Sequence, residues 1–267
     1  MISRSIKKIA IIALFIYLPL SGMAWGMLGH RIVGQIADAY ITKHTRNEIN
    51  EILGNESVAM ASNWPDFIKS DPAMSYLSPW HYCDFKGGMS QDQFMIELDK
   101  DTAIDAYTKL NFLVKELKNK DLEQDKKAMY LKLIIHIVGD IHQPLHVGRP
   151  ENRGGNDIKV LWFDAPSNLH SVWDDGLISY QKLSYTEYTA AINYTTKDQR
   201  REWQQETLST WLWQSYQLSE KIYADNLKPD QKLSYRYVYD YIDLLNDRLL
   251  KGGVHLAGLL NDIFKDY

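Results

Sequence analysis

The sequence predicts a mainly α-helical protein that folds as one helical bundle with few short strands. Apolar residues recur at helical spacing in several long stretches, most clearly over residues 30–53 and 197–250. Only one short segment, residues 158–163, is rich enough in β-branched and aromatic residues to predict a strand. A chain of 267 residues can bury one good core or two small ones, and we expect one domain.

In the first half, helices are predicted from this spacing and from the turn residues that interrupt it. The first covers about 30–53, and Gly54 predicts its end. Residues 55–100 contain scattered proline and glycine, which predicts loops with short turns. Two further helices are predicted over 101–118 and about 125–141.

The second half continues with helices after the predicted strand. Ser184-Tyr185-Thr186-Glu187 has the pattern of a capping box and predicts a helix start. Two long amphipathic stretches follow, over about 197–224 and 230–250. Gly252-Gly253 is expected to separate off a last short helix that ends near Phe264.

Residues 1–24 have the features of a secretory signal peptide. The charged beginning contains Arg4, Lys7 and Lys8. An apolar stretch over 9–20 is followed by Gly22-Met23-Ala24, with small residues at the two positions that a signal peptidase reads. We therefore expect removal of residues 1–24, a mature domain of residues 25–267, and a secreted or periplasmic location with no membrane attachment after cleavage.

Charge and cysteine content limit the possible functions and the sources of stability. Without the predicted signal peptide, 27 basic residues stand against 34 acidic ones, a formal charge of −7. Such a chain cannot hold nucleic acid by a general basic surface, so any positive charge for a phosphate ester must be local. Cys83 is the only cysteine, so an internal disulfide is excluded and core packing and metals must stabilise the fold.

The segment around the end of the third predicted helix contains the strongest chemical signal. His136 and Asp140 are one helical turn apart and share a face, and Pro144 ends the helix so that His146 can point back. Imidazole and carboxylate groups are typical zinc ligands, and here they lie within an apolar run, where polar groups need a specific reason. His170 and Asp174 repeat the same spacing.

Six short motifs, in this order between residues 25 and 174, resemble those of the S1/P1 nuclease family of secreted zinc-dependent nucleases and 3′-nucleotidases. They are WGMLGH, NWPD, WHYCD, HIVGDIHQPLH, GGND and NLHSVWD. The resemblance implies a helical fold of the zinc phospholipase C type and a site with three Zn²⁺. Asp66, His81 and His136 would hold one ion, and Asp140 would bridge it to a second. The second would be completed by Trp25, through its free α-amino group, and His30. The third would be held by His146, His170 and Asp174.

The resemblance also implies a reaction and substrate contacts. Hydroxide bridging two zincs would attack phosphorus in single-stranded RNA and DNA, giving 5′-phosphorylated products, and would remove the 3′-phosphate of nucleotides. Asp66 would orient the water, and Lys69 would lie near the phosphate. Tyr82 would stack on a base, Asp84 would accept from its exocyclic amine, and Asn156 would line the pocket. We expect a monomer without a stable protein partner.

Two other functions stay open from the sequence alone. A trinuclear-zinc phospholipase C would use a similar site, but it should present an apolar, lipid-facing surface and no base-stacking loop. A non-catalytic zinc-binding module would have to explain three metals with open coordination positions. Release of phosphate from 3′-AMP distinguishes the nuclease from both.

Overall fold

Helices form most of the chain in the computed structural model, which describes residues 25–267; the predicted signal peptide lies outside the described residues. The α-helices are α1 (Met27–Tyr40), α2 (Lys43–Leu53), α3 (Val58–Ala61), α4 (Trp64–Ile68), α5 (Gln91–Asp99), α6 (Ala106–Leu117), α7 (Gln124–Asp140), α8 (Leu169–Ser171), α9 (Leu177–Tyr180), α10 (Tyr185–Ile192), α11 (Lys197–Gln204), α12 (Leu208–Tyr223) and α13 (Tyr235–Phe264). Tighter 3₁₀ turns cover Pro72–His81, Pro144–His146 and Pro150–Asn152, and a π-helical turn covers Val172–Gly176. The predicted mainly α fold class is confirmed.

Five short strands complete the fold of residues 25–267. They are β1 (Cys83–Asp84), β2 (Val147–Gly148), β3 (Lys159–Trp162), β4 (Ala165–Asn168) and β5 (Gln231–Leu233). Strands β1 and β2 pair in parallel, with Cys83 opposite Val147. This pairing brings the segments that precede the two strands together, and Nδ1 of His146 donates a 2.7 Å hydrogen bond to the carbonyl of His81. Strand β3, predicted from the sequence, pairs with β4 and β5 in a second small sheet.

The single first helix predicted over 30–53 was wrong, because the chain breaks between α1 and α2. Ile41 and Thr42 are extended, and the Thr42 side chain accepts a hydrogen bond from the backbone N–H of Thr45. That bond satisfies a donor that a new helix start would otherwise leave without a partner. The predicted end holds, since Gly54 follows α2 with a positive φ of 65°.

The loops predicted over 55–100 contain more helix than expected. Helices α3, α4 and α5 and the long 3₁₀ turn all fall in this range. Helix α5 begins with a complete capping box between Ser90 and Gln93. The same range supplies Asp66 and His81, two of the predicted metal ligands, from short elements that stand beside α7.

The last helix does not break at its glycine pair, so the predicted short C-terminal helix was wrong. Helix α13 runs without interruption through Gly252 and Gly253. A Cβ at Gly253 would lie 2.4 Å from the Cβ of Ile36, so only glycine lets α13 approach α1 this closely. The pair therefore serves close packing of α13 against α1, although glycine inside a helix is intrinsically unfavourable.

Helix α7 lies at the centre of the fold and positions the site. Its final turns are fully buried, and it packs against α1, α4, α6 and α13. The buried apolar residues of the described chain form one connected core that includes α7 residues such as Ile134, Ile137 and Val138. Among the described residues, no helix has both the length and the apolar character needed to cross a bilayer.

Candidate metal centre

Eight of the nine predicted ligand residues are imidazoles and carboxylates, and the fold brings all eight together around the C-terminal end of α7. They are His30 on α1, Asp66 on α4, His81 at the end of the Pro72–His81 turn, His136 and Asp140 on α7, His146 in the Pro144–His146 turn, His170 on α8 and Asp174 in the π-helical turn. None of them is more than 7% exposed. Burying so many ionisable groups is costly unless a bound cation or hydrogen bonds compensate.

Asp140 is the centre of the larger part of the cluster. Its Oδ2 lies 3.0 Å from Nδ1 of His81 and 3.1 Å from Nε2 of His136, while its Oδ1 lies 3.4 Å from Nε2 of His30. One carboxylate thus faces two sets of imidazoles with its two oxygens. This is the geometry that a bridging metal ligand requires.

The ligand atoms fall into three groups, each within 4.8 Å. The first group is His30, Asp66 and His136. The second group is His81, His136 and Asp140. The expected sets placed Asp66 with His81 and His136, and His30 with Asp140. The first two groups share His136, whose ring stacks on that of His30 with centroids 3.8 Å apart. Nε2 of His30 also lies 3.4 Å from Oδ1 of Asp140, so the expected division of ligands between the first two ions stays a prediction. The third group is His146, His170 and Asp174, as expected.

Three of the imidazoles are oriented by backbone carbonyl oxygens. In each ring, Nδ1 donates a 2.7 Å hydrogen bond to a carbonyl oxygen. His136 donates to Ser62, His146 donates to His81, and His170 donates to Gly154. An Nδ1 that carries the proton leaves Nε2 as a free lone pair, which is the tautomer a metal ion binds. The surrounding backbone therefore prepares these rings for coordination.

The residues present fit metal ions, because the cluster leaves many buried polar atoms without partners. Ten buried side-chain nitrogen and oxygen atoms of the described residues lack a hydrogen bond, and seven belong to predicted ligands. These seven are Nδ1 and Nε2 of His30, Oδ2 of Asp66, Nε2 of His81, Oδ1 of Asp140, Nε2 of His146 and Oδ2 of Asp174. Buried polar atoms are normally satisfied, so their concentration here indicates that cations complete the site.

The electrostatics of the cluster lead to the same conclusion. Burial and the neighbouring His136 lower the pKa of His30 to about 4, so this ring stays neutral. Burial alone would raise the pKa of Asp140, but His136 and His146 hold it well below its ordinary value. Against the effect of burial, Asp140 and Asp174 raise the pKa of His146 to about 9, so without a cation beside it this ring holds a second proton that a bound metal ion would displace. The ionised carboxylates thus leave buried negative charge in the cluster, and bound metal ions would neutralise it.

Trp25, the ninth predicted ligand, lies directly against this cluster. Its side chain is fully buried, and its indole Nε1 donates a 2.6 Å hydrogen bond to the carbonyl of Gly139. The next residue, Gly26, donates its backbone N–H to the carbonyl of Asp174 at 2.7 Å. The indole is thus engaged elsewhere, and the backbone at Trp25 runs between α7 and the π-helical turn.

The predicted catalytic lysine and substrate-binding residues line one cavity above the cluster. This cavity has a volume of about 370 Å³, and its walls include Lys69, Tyr82, Asp84, Asn156 and the ligands His81, His146 and His170. Lys69 donates to Oδ1 of Asp66 at 2.7 Å. Tyr82 is 43% exposed, so its side chain is accessible to a ligand in the cavity. The structure therefore places all five predicted functional residues, Asp66 included, at or beside one opening.

A second polar cluster under the site was missed by sequence reasoning. His255, which belongs to none of the six motifs, is fully buried, and its Nδ1 lies 2.6 Å from Nε2 of His142. Arg248, also buried, donates to the carbonyl of His142 and to the hydroxyl of Ser215. These contacts support the turn between Asp140 and His146. They arise only where α12 and α13 cross this turn, so local sequence patterns carry no signal for them.

Comparisons with known proteins agree with the motifs. The model of the family described as S1/P1 Nuclease matches residues 25–265. Endonuclease 3 of Arabidopsis thaliana is 29% identical over 266 residues, which cover 91% of this chain and 90% of that protein. Nuclease S1 of Aspergillus oryzae is 32% identical over 164 residues, covering 57% and 54%. Among solved structures, Alpha Toxin from Clostridium Absonum matches with a TM-score of 0.47 and 16% identity, covering 92% of this chain and 66% of that one.

Proposed function

This chain belongs to the S1/P1 nuclease family, and from that premise we propose that it is a zinc-dependent hydrolase of phosphate esters in nucleic acids. It hydrolyses single-stranded RNA and DNA to 5′-phosphorylated products and removes the 3′-phosphate of nucleotides. The relatives named as nucleases and endonucleases support this function over the phospholipase C alternative. The mature enzyme comprises residues 25–267 and acts outside the cytoplasm.

The observation that carries the proposal is the set of unsatisfied ligand atoms at the floor of the cavity. The histidine and aspartate atoms lie in three groups, two of which share His136, and we propose three Zn²⁺. Asp66, His81 and His136 would hold one ion, and Trp25 and His30 a second that shares Asp140 with the first. The third would be held by His146, His170 and Asp174. Zinc ions held there would supply Lewis acidity and make water a nucleophile near neutral pH. They would also give an acidic protein the local positive charge that a phosphodiester needs.

Asp66 and Lys69 act directly on the reacting groups. Burial would raise the pKa of Asp66, but His136, His30 and Lys69 keep it below its ordinary value, so the carboxylate is ionised. An ionised carboxylate at this position accepts a hydrogen bond from the attacking water and fixes its direction. The Lys69 ammonium, 2.7 Å from Asp66, adds a positive charge beside the transferred phosphoryl group.

Tyr82, Asp84 and Asn156 hold the nucleoside. The half-exposed ring of Tyr82 offers a stacking surface for a base, and stacking tolerates different bases. Asp84 accepts from an exocyclic amine. Asn156 donates its side-chain N–H to the carbonyl of Arg153 at 2.9 Å, which leaves its side-chain oxygen for a ligand.

Trp25 becomes a metal ligand through its backbone when the signal peptide is removed. Cleavage before Trp25 creates an α-amino group with a pKa of about 7.7–8, which a metal ion can deprotonate near neutrality. The buried indole and the Gly26 hydrogen bond hold this backbone beside Asp174 and the end of α7. Export and processing therefore switch the enzyme on.

The proposal is tested by hydrolysis assays on protein that begins at Trp25. We expect phosphate release from 3′-AMP but not from 5′-AMP, and cleavage of single-stranded RNA and DNA to products with 5′-phosphate ends. A chelator should abolish all three activities. His136→Ala should lose them, whereas His44→Ala, which changes an exposed histidine, should keep them. Products with 3′-phosphate ends, chelator-resistant hydrolysis, or activity on phospholipid alone would contradict the proposal.

A further inference from the structure

A guanidinium group on the cavity wall has no part in the function proposed above. Arg153 lines the same cavity as Tyr82 and Asn156. Its side chain is 73% exposed, and its nearest carboxylate oxygen belongs to Asp157, at 3.5 Å. A loose ion pair of this kind at the surface contributes little energy, and it leaves most of the five N–H donors of the guanidinium free for a ligand.

The loop that carries Arg153 is fixed to the metal cluster. Arg153 has left-handed backbone angles, φ 52° and ψ 52°, which non-glycine residues seldom adopt. Asn156 holds the Arg153 carbonyl with its side-chain N–H, and the next carbonyl, of Gly154, accepts the Nδ1–H of His170. The position of Arg153 is therefore determined relative to the predicted ligand His170, although its side chain reaches into solvent.

Arg153 and Lys69 differ in what they face. Lys69 is bonded to Asp66 and so lies beside the reacting phosphoryl group. Arg153 lines the same cavity as Tyr82 and Asp84, and its backbone carbonyl accepts the hydrogen bond from the Asn156 side chain at 2.9 Å. The cavity thus has a second cationic position, and that position is next to the residues proposed to hold the base.

We propose that Arg153 forms a subsite for the 5′-phosphate of the nucleotide whose base contacts Tyr82. The planar fork of arginine suits two oxygens of a phosphate group. Such a phosphate is present in every internal nucleotide of a polynucleotide and absent from a 3′-mononucleotide. This subsite rests on the proposed function, and it gives the enzyme a preference for nucleic-acid strands over 3′-mononucleotides.

Two substrates that differ by one phosphate test the subsite. Adenosine 3′,5′-bisphosphate and 3′-AMP both release a 3′-phosphate, but only the first carries a 5′-phosphate. In Arg153→Ala we expect kcat/KM for the bisphosphate to fall about tenfold, mainly through KM, because one charge-assisted contact is lost. The value for 3′-AMP should stay within about twofold. Arg153→Lys should retain part of the preference. Arg201→Ala, which removes an equally exposed arginine paired with Asp198, is the matched control and should change neither value.

A second variant tests the subsite without touching Arg153. Asp157→Asn removes the carboxylate that competes for the guanidinium, so the preference for the bisphosphate should rise about two- to threefold. Equal losses on both substrates in Arg153→Ala, or no loss on either, would overturn the subsite, as would an unchanged preference in Asp157→Asn. Failure of the unmodified enzyme to hydrolyse either substrate would instead overturn the proposed function, and the subsite with it.

Discussion

Replacing Gly139 with alanine should remove zinc from the site while leaving the fold intact. Gly139 lies in the buried last turn of α7, next to Asp140, where α1 crosses it. A Cβ added there would be 2.8 Å from Nδ1 of His30, whereas ordinary contacts begin near 3.4 Å. The His30 ring would have to move by roughly 0.6 Å, which is more than the ~0.2 Å that a metal–ligand distance tolerates.

The expected magnitudes separate a site effect from a folding effect. Alanine in place of glycine inside a helix favours the fold by about 0.5–1 kcal/mol, which offsets much of the cost of moving the ring. The free energy of unfolding of the metal-free protein should therefore change by less than about 1 kcal/mol. Bound zinc should fall by about one ion per chain, and kcat/KM on 3′-AMP by about 10²-fold, as expected for a misplaced ligand.

The assay combines elemental analysis of zinc, kinetics on 3′-AMP and thermal unfolding of chelator-treated protein. Gly252→Ala is the matched control, since it adds the same methyl group to a buried helix position whose nearest new contact, His142 Cβ, is 3.3 Å away and is not a predicted ligand. It should retain zinc and activity. A Gly139→Ala protein with full zinc and full activity would refute the reasoning that His30 needs this close approach to α7.

Three further predictions follow from other parts of the structure. One extra residue before Trp25 in the mature protein should lower zinc content and abolish hydrolysis, because the α-amino group is displaced; full retention of both would exclude that ligand. Tyr82→Ala should raise KM for 3′-AMP about tenfold with kcat little changed, as loss of base stacking requires, and Tyr82→Phe should match the unmodified enzyme. Asp105→Asn should raise the unfolding free energy by about 1–2 kcal/mol above pH 7, because burial and Asp101 raise the pKa of Asp105 to about 6. Asparagine still caps α6. Because the pKa of Asp105 is raised in the folded state, the unmodified protein loses stability as pH rises from about 4 to 6. The stability advantage of the variant should therefore vanish near pH 4, and an advantage independent of pH would contradict this.

Two pairs of the predicted ligands follow from local spacing alone. His136 and Asp140 are four residues apart on one helix, and their ligand atoms lie 3.1 Å apart as that spacing requires. The same holds for His170 and Asp174, whose Nε2 and Oδ2 atoms are also 3.1 Å apart. Single residues such as His30 have no local signal, and their place in the site was predicted only through a motif of the resembled family.

Two features that the sequence did not predict, the unbroken helix α13 and the buried His255, share one physical cause: tertiary packing overrides local preference. Gly252 and Gly253 predict a helix end by their intrinsic propensity, yet contact with α1 makes glycine the residue that fits inside α13. His255 carries no motif, and only the crossing of α13 under the site buries it against His142. The missed helix α5 is different, since its capping box at Ser90 and Gln93 was readable in the sequence.

The most direct test of the whole account is the zinc content of chelator-free protein that begins at Trp25, measured by elemental analysis together with hydrolysis of 3′-AMP. The three groups of ligands predict about three zinc ions per chain, and stepwise removal of zinc should abolish hydrolysis. Fewer than two ions per chain in active protein would contradict the assignment of the cluster.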